Sequence, residues 1–181
     1  MVFKNPEWND SDEIVTYGYY QKYWLSKENR EKNPHFDMYS GRILDLKEKK
    51  HDAINYFYGL IDDVLCDDIS VCVVPSHSME EKETGVYLLA KKLASSGGRR
   101  DLTDYLSRVK TIEKLAMGGL RDMSIHMNSI SADESVSIYG EVVLLVDDVT
   151  TSGNSLKACR EILLKNGAEK VAMFALGRSI G

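Results

Sequence analysis

The stretch from Val142 to Leu156 constrains the fold of this 181-residue chain more than any other part of it. Its first five residues, 142–146, are all aliphatic and predict a strand that is buried on both faces, as strands of parallel sheets usually are. Asp147 and Asp148 follow directly, and the small polar residues after them, with Gly153 among them, predict the start of a helix. This order indicates an α/β fold with a ligand site at the carboxyl edge of the sheet.

The residues after the predicted strand suit a sugar phosphate. A helix start has unpaired backbone N–H groups and the positive end of the helix dipole, which together hold a phosphate well. Gly153 lets the backbone come close to that phosphate, and polar side chains around it add hydrogen bonds: Thr150, Thr151, Ser152, Asn154 and Ser155. Asp147 and Asp148 would repel a phosphate, so we expect them to accept hydrogen bonds from sugar hydroxyls or to face a divalent cation. A simple helix cap is the alternative interpretation, but two adjacent carboxylates followed by hydroxyl residues favour a ribose 5-phosphate pocket.

Residues 144–156 resemble the phosphoribosyl-pyrophosphate (PRPP) signature of type I phosphoribosyltransferases. The resemblance implies transfer of a phosphoribosyl group from PRPP to a nitrogen acceptor, with release of pyrophosphate and with Mg²⁺ as cofactor. It also implies that Asp147 and Asp148 bind the ribose hydroxyls and contact the metal indirectly, while 150–155 hold the 5-phosphate. Purine-salvage members usually carry an Asp at the place of Thr151, so the resemblance argues against a hypoxanthine or guanine acceptor.

Composition restricts the classes of function. The chain is long enough for one substantial core, and its net charge of −5 argues against an extended nucleic-acid surface and for a small-molecule partner. Cys66, Cys72 and Cys159 form no C-x-x-C pair and are odd in number, which predicts neither a zinc site nor a disulfide framework. The sequence contains no apolar run that could span a bilayer and no signal-peptide core, so we expect no membrane association and a cytoplasmic location.

Alternating apolar patterns predict a parallel sheet flanked by helices, which is also what the type I phosphoribosyltransferase resemblance implies. Helices are expected at 54–65, 86–93 and 154–165, and further strands at 69–74 and 171–176. The loop after strand 69–74 lies at the same sheet edge as the acid pair. By the resemblance, it binds pyrophosphate through Ser76, His77 and Ser78, while an ordinary surface turn is the alternative.

The basic stretch 107–128 is a candidate lid over the site. Closure of such a lid would bring positive charge, from Arg108 and Lys110 above all, to the pyrophosphate leaving group and would exclude water. An amphipathic helix at 109–117 is an equally simple interpretation of the pattern. His77 and His126 are candidate general bases.

The first 47 residues are rich in Trp and Tyr, and we expect them to form a small hood or interface region beside a core at 48–181. Aromatic rings stack on bases, so this region is a candidate acceptor site, with core packing or a protein interface as the alternative. Residues 39–47 are expected to form an edge hairpin or strand.

The order of these parts is most similar to the ComF-like branch, over roughly the last two thirds of the chain from about Ile69. Thr84 stands where that branch carries an Arg, Ser124 replaces an expected Asn, and the amino-terminal zinc-ribbon cysteines of that branch are missing. These departures keep two alternatives open: a catalytically inactive sensor or accessory subunit that binds PRPP or a nucleotide, and an effector that modifies a macromolecule. The sequence does not identify the acceptor, and a homodimer or another protein partner is compatible with it.

Overall fold

The computed structural model describes residues 1–10, 12–112 and 123–180. In chain order, the strands of this part are β1 (Ile14–Tyr20), β2 (Trp24–Ser26), β3 (Glu31–Lys32), β4 (Ser70–Val73), β5 (Arg100–Asp101), β6 (Leu106–Arg108), β7 (Ile130–Ala132), β8 (Val142–Thr150) and β9 (Lys170–Ser179). Five of them form one sheet in the order β1–β9–β8–β4–β5, and every neighbouring pair in it is parallel. The others form two small antiparallel pairs, β2 with β3 and β6 with β7.

Helices cover both faces of this sheet. The α-helices of the described residues are α1 (Met38–Lys47), α2 (His51–Asp62), α3 (Gly85–Ala94), α4 (Met123–Met127) and α5 (Asn154–Lys165). Strand β8 shows the arrangement: Leu144 and Val146 pack among α1, α2 and α3, whereas Val143 and Leu145 pack against α5 on the opposite face. The prediction of an α/β fold with a parallel sheet flanked by helices is confirmed.

The expectation of an edge hairpin or strand at 39–47 was wrong, because these residues form helix α1. The Asp37 carboxylate caps the helix by accepting a hydrogen bond from the backbone N–H of Ser40 at 2.7 Å. Ile43 and Leu46 lie three residues apart on one helix face, and both are fully buried in the core. The apolar residues of this segment therefore have helical spacing once the buried face is known.

The first 47 residues take part in the central sheet and its core. Strand β1 pairs with β9 along its length, and Val2 and Phe3 are fully buried in the same apolar cluster as α2 and α3. The segment 1–47 is therefore packed as part of the sheet, and its role as a hood for an acceptor stays a prediction.

The basic stretch 107–128 is described only at its two ends. Residues 109–112 are not helical, α4 lies near the far end, and the part of the predicted lid or helix at 113–122 lies outside the described residues. No helix in the described part of the chain is long and apolar enough to cross a membrane.

Candidate ligand-binding site

Two of the predicted site loops leave the same edge of the sheet side by side. Strands β4 and β8 are parallel neighbours, with Val73 opposite Val146, and the Val74 N–H continues the pairing by donating to the Val146 carbonyl at 2.9 Å. Loop 75–78 therefore begins beside the carboxyl-terminal part of β8, which continues to Thr150 and contains the acid pair, as expected for a ligand site in an open parallel sheet.

A cleft of about 1200 Å³ opens at this edge. The described residues that line it come from the end of β8 and the turn into α5, from loop 75–78, from the region around α4, and from the amino-terminal segment. They include Asp147, Thr150, Thr151, Ser152, Gly153, Asn154, Ser155, His77, His126, Tyr20, Lys22, Trp24, Lys27 and Lys47. The structure thus brings together Asp147, His77 and all six residues predicted to hold the 5-phosphate.

Gly153 shapes the turn between β8 and α5. Its φ of +79° is in the left-handed region, which glycine adopts without steric penalty. A Cβ at this position would also clash with Cδ1 of Ile14, so a larger residue would force the end of that side chain, or the turn, to move. Because α5 begins at Asn154 and Asn154 and Ser155 line the cleft, the unpaired N–H groups of the first helical turn lie at this cavity.

The acid pair is electrostatically asymmetric. Asp148 Oδ2 lies 3.1 Å from Lys47 Nζ, so this carboxylate has a cationic partner. Burial raises the pKa of Asp147 well above its usual range, and the charge of Asp148 raises it further, against weaker opposing effects of the Asp148 N–H and Lys47. A cationic ligand or a donor hydroxyl beside Asp147 would therefore relieve an unfavourable buried charge.

Lys47 is a site residue that the sequence did not reveal. Burial lowers its pKa, but the charge of Asp148 and their hydrogen bond outweigh that effect, and the pKa of Lys47 is raised. Lys47 is the last residue of α1, about a hundred positions from Asp148 in sequence. Only the packing of α1 beside the sheet edge brings the two together.

Loop 75–78 divides its side chains between two cavities. His77 lines the main cleft, whereas Ser76 and Ser78 line a smaller neighbouring cavity of about 130 Å³. Arg108 borders that smaller cavity as well, and Lys110 is exposed. The two serine side chains and Arg108 are therefore not among the residues that line the main cleft.

The buried guanidinium of Arg108 supports loop 75–78 from behind. It donates hydrogen bonds to the carbonyl oxygens of Pro75 at 3.3 Å and Ser76 at 2.8 Å, and to the Ser129 hydroxyl at 2.6 Å. Burial lowers the pKa of Arg108 from its usual value. In this conformation the side chain holds the loop in place, and it would have to leave three partners to act as part of a lid.

His126 in α4 lies close to Ser155 in the first turn of α5. This residue is buried, lines the cleft, and has its ring nitrogens 3.4 and 3.5 Å from the Ser155 hydroxyl. An imidazole in this position can exchange hydrogen bonds with Ser155 and with a bound ligand.

Mg²⁺ fits the donor atoms of the acid pair, since carboxylate oxygens are hard ligands. The raised pKa of Asp147 also indicates a carboxylate that lacks full compensation of its charge. Within residues 1–10, 12–112 and 123–180, however, no group of three or more His, Cys, Asp or Glu side chains is arranged to hold a metal ion. A metal here would need additional oxygen ligands from the bound substrate or from water.

No protein-family profile and no curated protein sequence matches the chain. Phosphoribosylpyrophosphate synthetase from Mycobacterium smegmatis aligns at 19% identity and a TM-score of 0.39, over 75% of this chain and 33% of that one. The allosteric regulatory enzyme of purine biosynthesis aligns at 16% identity and a TM-score of 0.47, over 72% of this chain and 25% of that one. A hypoxanthine phosphoribosyltransferase from Staphylococcus aureus aligns at 15% identity and a TM-score of 0.35, over 78% of this chain and 74% of that one. The chain thus spans only about a third and a quarter of the first two proteins, and all three likenesses are partial and of low identity.

Proposed function

We propose that this protein binds PRPP in the cleft and transfers its phosphoribosyl group to a nitrogen acceptor, with release of pyrophosphate. One observation carries the proposal: Asp147 and the helix start at Gly153 line one cleft, in the order that suits a ribose and its 5-phosphate, and Asp148 lies next to Asp147 in β8 and pairs with the cleft residue Lys47. The proposal is of a type I phosphoribosyltransferase, as the sequence of residues 144–156 suggests.

Each part of the donor is assigned to a part of the site. Residues 150–155 hold the 5-phosphate through backbone N–H groups and side-chain donors. Asp147 and Asp148 accept hydrogen bonds from the ribose hydroxyls, and they are the residues that would hold Mg²⁺, directly or through water. When bound, the metal neutralises phosphate charge. His77 is the residue of loop 75–78 assigned to the pyrophosphate, because it alone of the three predicted residues lines the cleft.

The reaction is a displacement at C1 of the ribose. The lone pair of the acceptor nitrogen forms the new bond to C1 as the bond from C1 to the pyrophosphate oxygen breaks, and pyrophosphate leaves with that electron pair. A proton on the nitrogen, where there is one, passes to a base such as His77 or His126. The protein's contribution is to align the reactants and to stabilise charge.

Calorimetric titration of PRPP with Mg²⁺ into the protein tests the binding step. We expect saturable binding that is lost without metal and lost in Asp148→Asn, and that is retained in Glu134→Gln, an exposed carboxylate outside the cleft. Binding that is equally strong in Asp148→Asn would contradict the assignment of the acid pair.

A sensor or accessory subunit that binds PRPP or a nucleotide without catalysis is the second candidate function. The position of Arg108 favours it, because this expected lid cation is buried behind loop 75–78. Charge reversal at the exposed Lys110 separates the two functions: in Lys110→Glu an enzyme should lose pyrophosphate release, whereas a sensor should keep its affinity for PRPP. Membership of the ComF-like branch, a cytoplasmic location, and action on a macromolecule remain predictions.

A further inference from the structure

Strand β1 forms one edge of the central sheet. Its inner side pairs with β9 from Ile14 to Tyr20, and in the described part of the chain no strand pairs with its outer side. The backbone N–H and C=O groups on the outer side of an edge strand form a template on which a strand of another chain can add. The outer side of β1 is therefore a candidate interaction surface.

The two edges of the sheet differ in how they are protected from such pairing. The opposite edge, β5, consists of Arg100 and Asp101, which are both charged and exposed, and Arg100 also pairs with Glu141. Short and charged edge strands resist pairing with other chains. In contrast, β1 has seven residues, of which none is charged and none is a proline, and its register with β9 is continuous. Such an edge is typical of a strand that has a partner.

Large aromatic and apolar side chains are exposed on and beside this strand. Tyr19 is 63% exposed, and Met38 at the start of α1 is 83% exposed. Tyr17 stacks on Tyr39 with 6.4 Å between ring centroids, and the Tyr39 hydroxyl donates to the Leu176 carbonyl oxygen at 2.6 Å. Tyrosine and methionine are enriched in protein interfaces, and side chains that are already held in place lose little freedom when a partner binds.

A second copy of this chain can pair with β1 symmetrically. Two copies of an edge strand related by a two-fold axis run antiparallel, join their sheets into one, and close as a dimer. The axis places one residue directly opposite its own copy, because directly opposed residues of antiparallel strands point to the same face. With Tyr17 in that position, every residue of one β1 is opposite a residue of the other β1, since Tyr17 is the centre of the strand.

The charges that flank β1 favour the same register. With Tyr17 opposite itself, Asp12 of each copy comes opposite Lys22 of the other. Lys22 is exposed, and the Asp12 side chain is 84% exposed although it accepts a hydrogen bond from Arg160 at 3.0 Å. An axis one residue away in either direction would instead place Asp12 or Lys22 opposite an uncharged residue of the strand. Opposite charges across antiparallel strands stabilise the pairing, and the two-fold axis makes this pair twice.

We propose that two copies of this chain pair antiparallel through the outer sides of β1, with Tyr17 on the two-fold axis. The dimer has one continuous sheet with five strands from each copy. Because the strands of one copy run antiparallel to those of the other, the two clefts open at opposite ends of this sheet. The pairing depends neither on PRPP binding nor on the proposed transfer.

Cysteine cross-linking tests the position of the axis. We expect Tyr17→Cys to form a disulfide between two chains under mild oxidation, because a residue on the axis has its Cβ about 4.5–5.5 Å from that of its copy. Tyr19→Cys should not, because its two copies are about 13 Å apart along the strands. Tyr139→Cys, at an exposed position shortly before β8, controls for random collisions, and the unaltered protein gives the background from the partly exposed Cys66. Cross-linking of Tyr17→Cys no faster than that of Tyr19→Cys or Tyr139→Cys overturns the proposal.

Sedimentation equilibrium of charge variants tests the register independently. We expect the unaltered protein to be a dimer, and Asp12→Lys and Lys22→Asp each to weaken it at least about tenfold, because each places like charges opposite one another. The double variant Asp12→Lys/Lys22→Asp should recover the affinity to within about threefold, although it does not restore the contact with Arg160. An unaltered protein that stays monomeric at about 100 μM, or a double variant as weak as the single ones, overturns the proposal.

A lysine on the axis should separate the two copies. Tyr17→Lys brings two ammonium groups together at the centre of the pairing and should give a monomer, whereas Tyr139→Lys should stay dimeric. Thermal melting of both variants shows that each is folded. A folded Tyr17→Lys that remains a dimer would mean that the copies meet through another face, and it contradicts the proposal.

Discussion

Asp147 is the carboxylate of the cleft whose charge the protein compensates least. Its pKa is raised by burial and then by Asp148, while Lys47 forms its ion pair with Asp148 and not with Asp147. The folded state therefore binds a proton at this site more tightly than the unfolded chain does. The stability contributed by this group is complete below the unfolded pKa of about 4 and is lost as the pH rises through the higher folded-state pKa.

Replacing Asp147 by Asn should remove this pH dependence. We expect the free energy of unfolding of the unaltered protein to fall by on the order of 2 kcal/mol relative to Asp147→Asn between about pH 4 and pH 8. Urea unfolding across this range measures the difference. Asp133→Asn is a control of opposite sign, because hydrogen bonds from Ser135 lower the pKa of Asp133, and its contribution is lost as the pH falls. If the difference in the free energy of unfolding between Asp147→Asn and the unaltered protein stays constant across this pH range, the prediction is contradicted.

Gly153 gives a second prediction for a single residue. Gly153→Ala combines a left-handed backbone with a collision against Ile14, whereas Gly140→Ala has a similar φ of +76° and open space around the new Cβ. We expect Gly140→Ala to lose about 1 kcal/mol of stability from the backbone conformation alone. Gly153→Ala should lose more, because either the Ile14 side chain or the turn must also move, and it alone should weaken PRPP binding, because Gly153 lines the cleft.

Urea unfolding and PRPP calorimetry on the two glycine variants provide the comparison. Equal losses of stability together with unchanged PRPP affinity in both would show that close packing at Gly153 does not shape the site.

At the scale of elements, Arg108 joins the β6–β7 pair to loop 75–78. Arg108→Leu removes the donors to the Pro75 and Ser76 carbonyls, so we expect the backbone amides of this loop to exchange with solvent at least about tenfold faster. Hydrogen exchange measured by mass spectrometry reports this change, with α5 as an internal reference. Unchanged protection of the loop would mean that Arg108 does not hold it, and would favour the lid role.

Arg99 links helix α2, helix α3 and the segment between α2 and β4. Its guanidinium is almost fully buried and donates to Asp62 and to the carbonyl oxygens of Leu93 and Cys66. Arg99→Ala should destabilise the protein by about 3 kcal/mol, because it removes the cationic partner of Asp62 and a donor to two carbonyls, and leaves Asp62 with the Ser96 hydroxyl as a remaining donor. The adjacent Arg100, paired with Glu141 and 43% exposed, is the matched control, and Arg100→Ala should lose less than about 1 kcal/mol. Similar losses, measured by urea unfolding, would contradict the prediction.

At the scale of the whole molecule, donor binding should stabilise the fold. The cleft joins residues of the amino-terminal segment, β8, α4 and α5, so a ligand that fills it opposes global unfolding. PRPP with Mg²⁺ at a hundredfold excess over its dissociation constant should add about 2.7 kcal/mol, or roughly 5–10 °C in Tm for a chain of this size. Calorimetric melting should show this shift in the unaltered protein and in Glu134→Gln, but not in Asp148→Asn. An equal shift in Asp148→Asn would place the ligand elsewhere.

The sequence by itself determined the elements whose patterns are strong and local. Helix α5 begins and ends where its apolar spacing and its Asn166–Gly167 end indicate, and β8 and β9 follow from runs of aliphatic residues buried on both faces. It also determined that loop 75–78 follows a strand of the parallel sheet, whereas the expectation that the acid pair follows its strand was wrong, because β8 continues to Thr150 and contains Asp147 and Asp148. Residues 39–47 were misassigned because their helical character depends on which face is buried, and that is set by the sheet they pack on.

Only the tertiary structure decided which side chains share the cleft. Lys47 reaches Asp148 from another layer of the fold, Arg108 donates to the carbonyls of loop 75–78, and Trp24 lines the cavity from the β2–β3 pair. Contacts between residues far apart in sequence depend on how helices and strands pack, and no local pattern records that packing. The turn from β8 into α5 was predictable because strand, turn and helix start are consecutive. The other residues that line the cleft were not, because they meet this turn only in the folded chain.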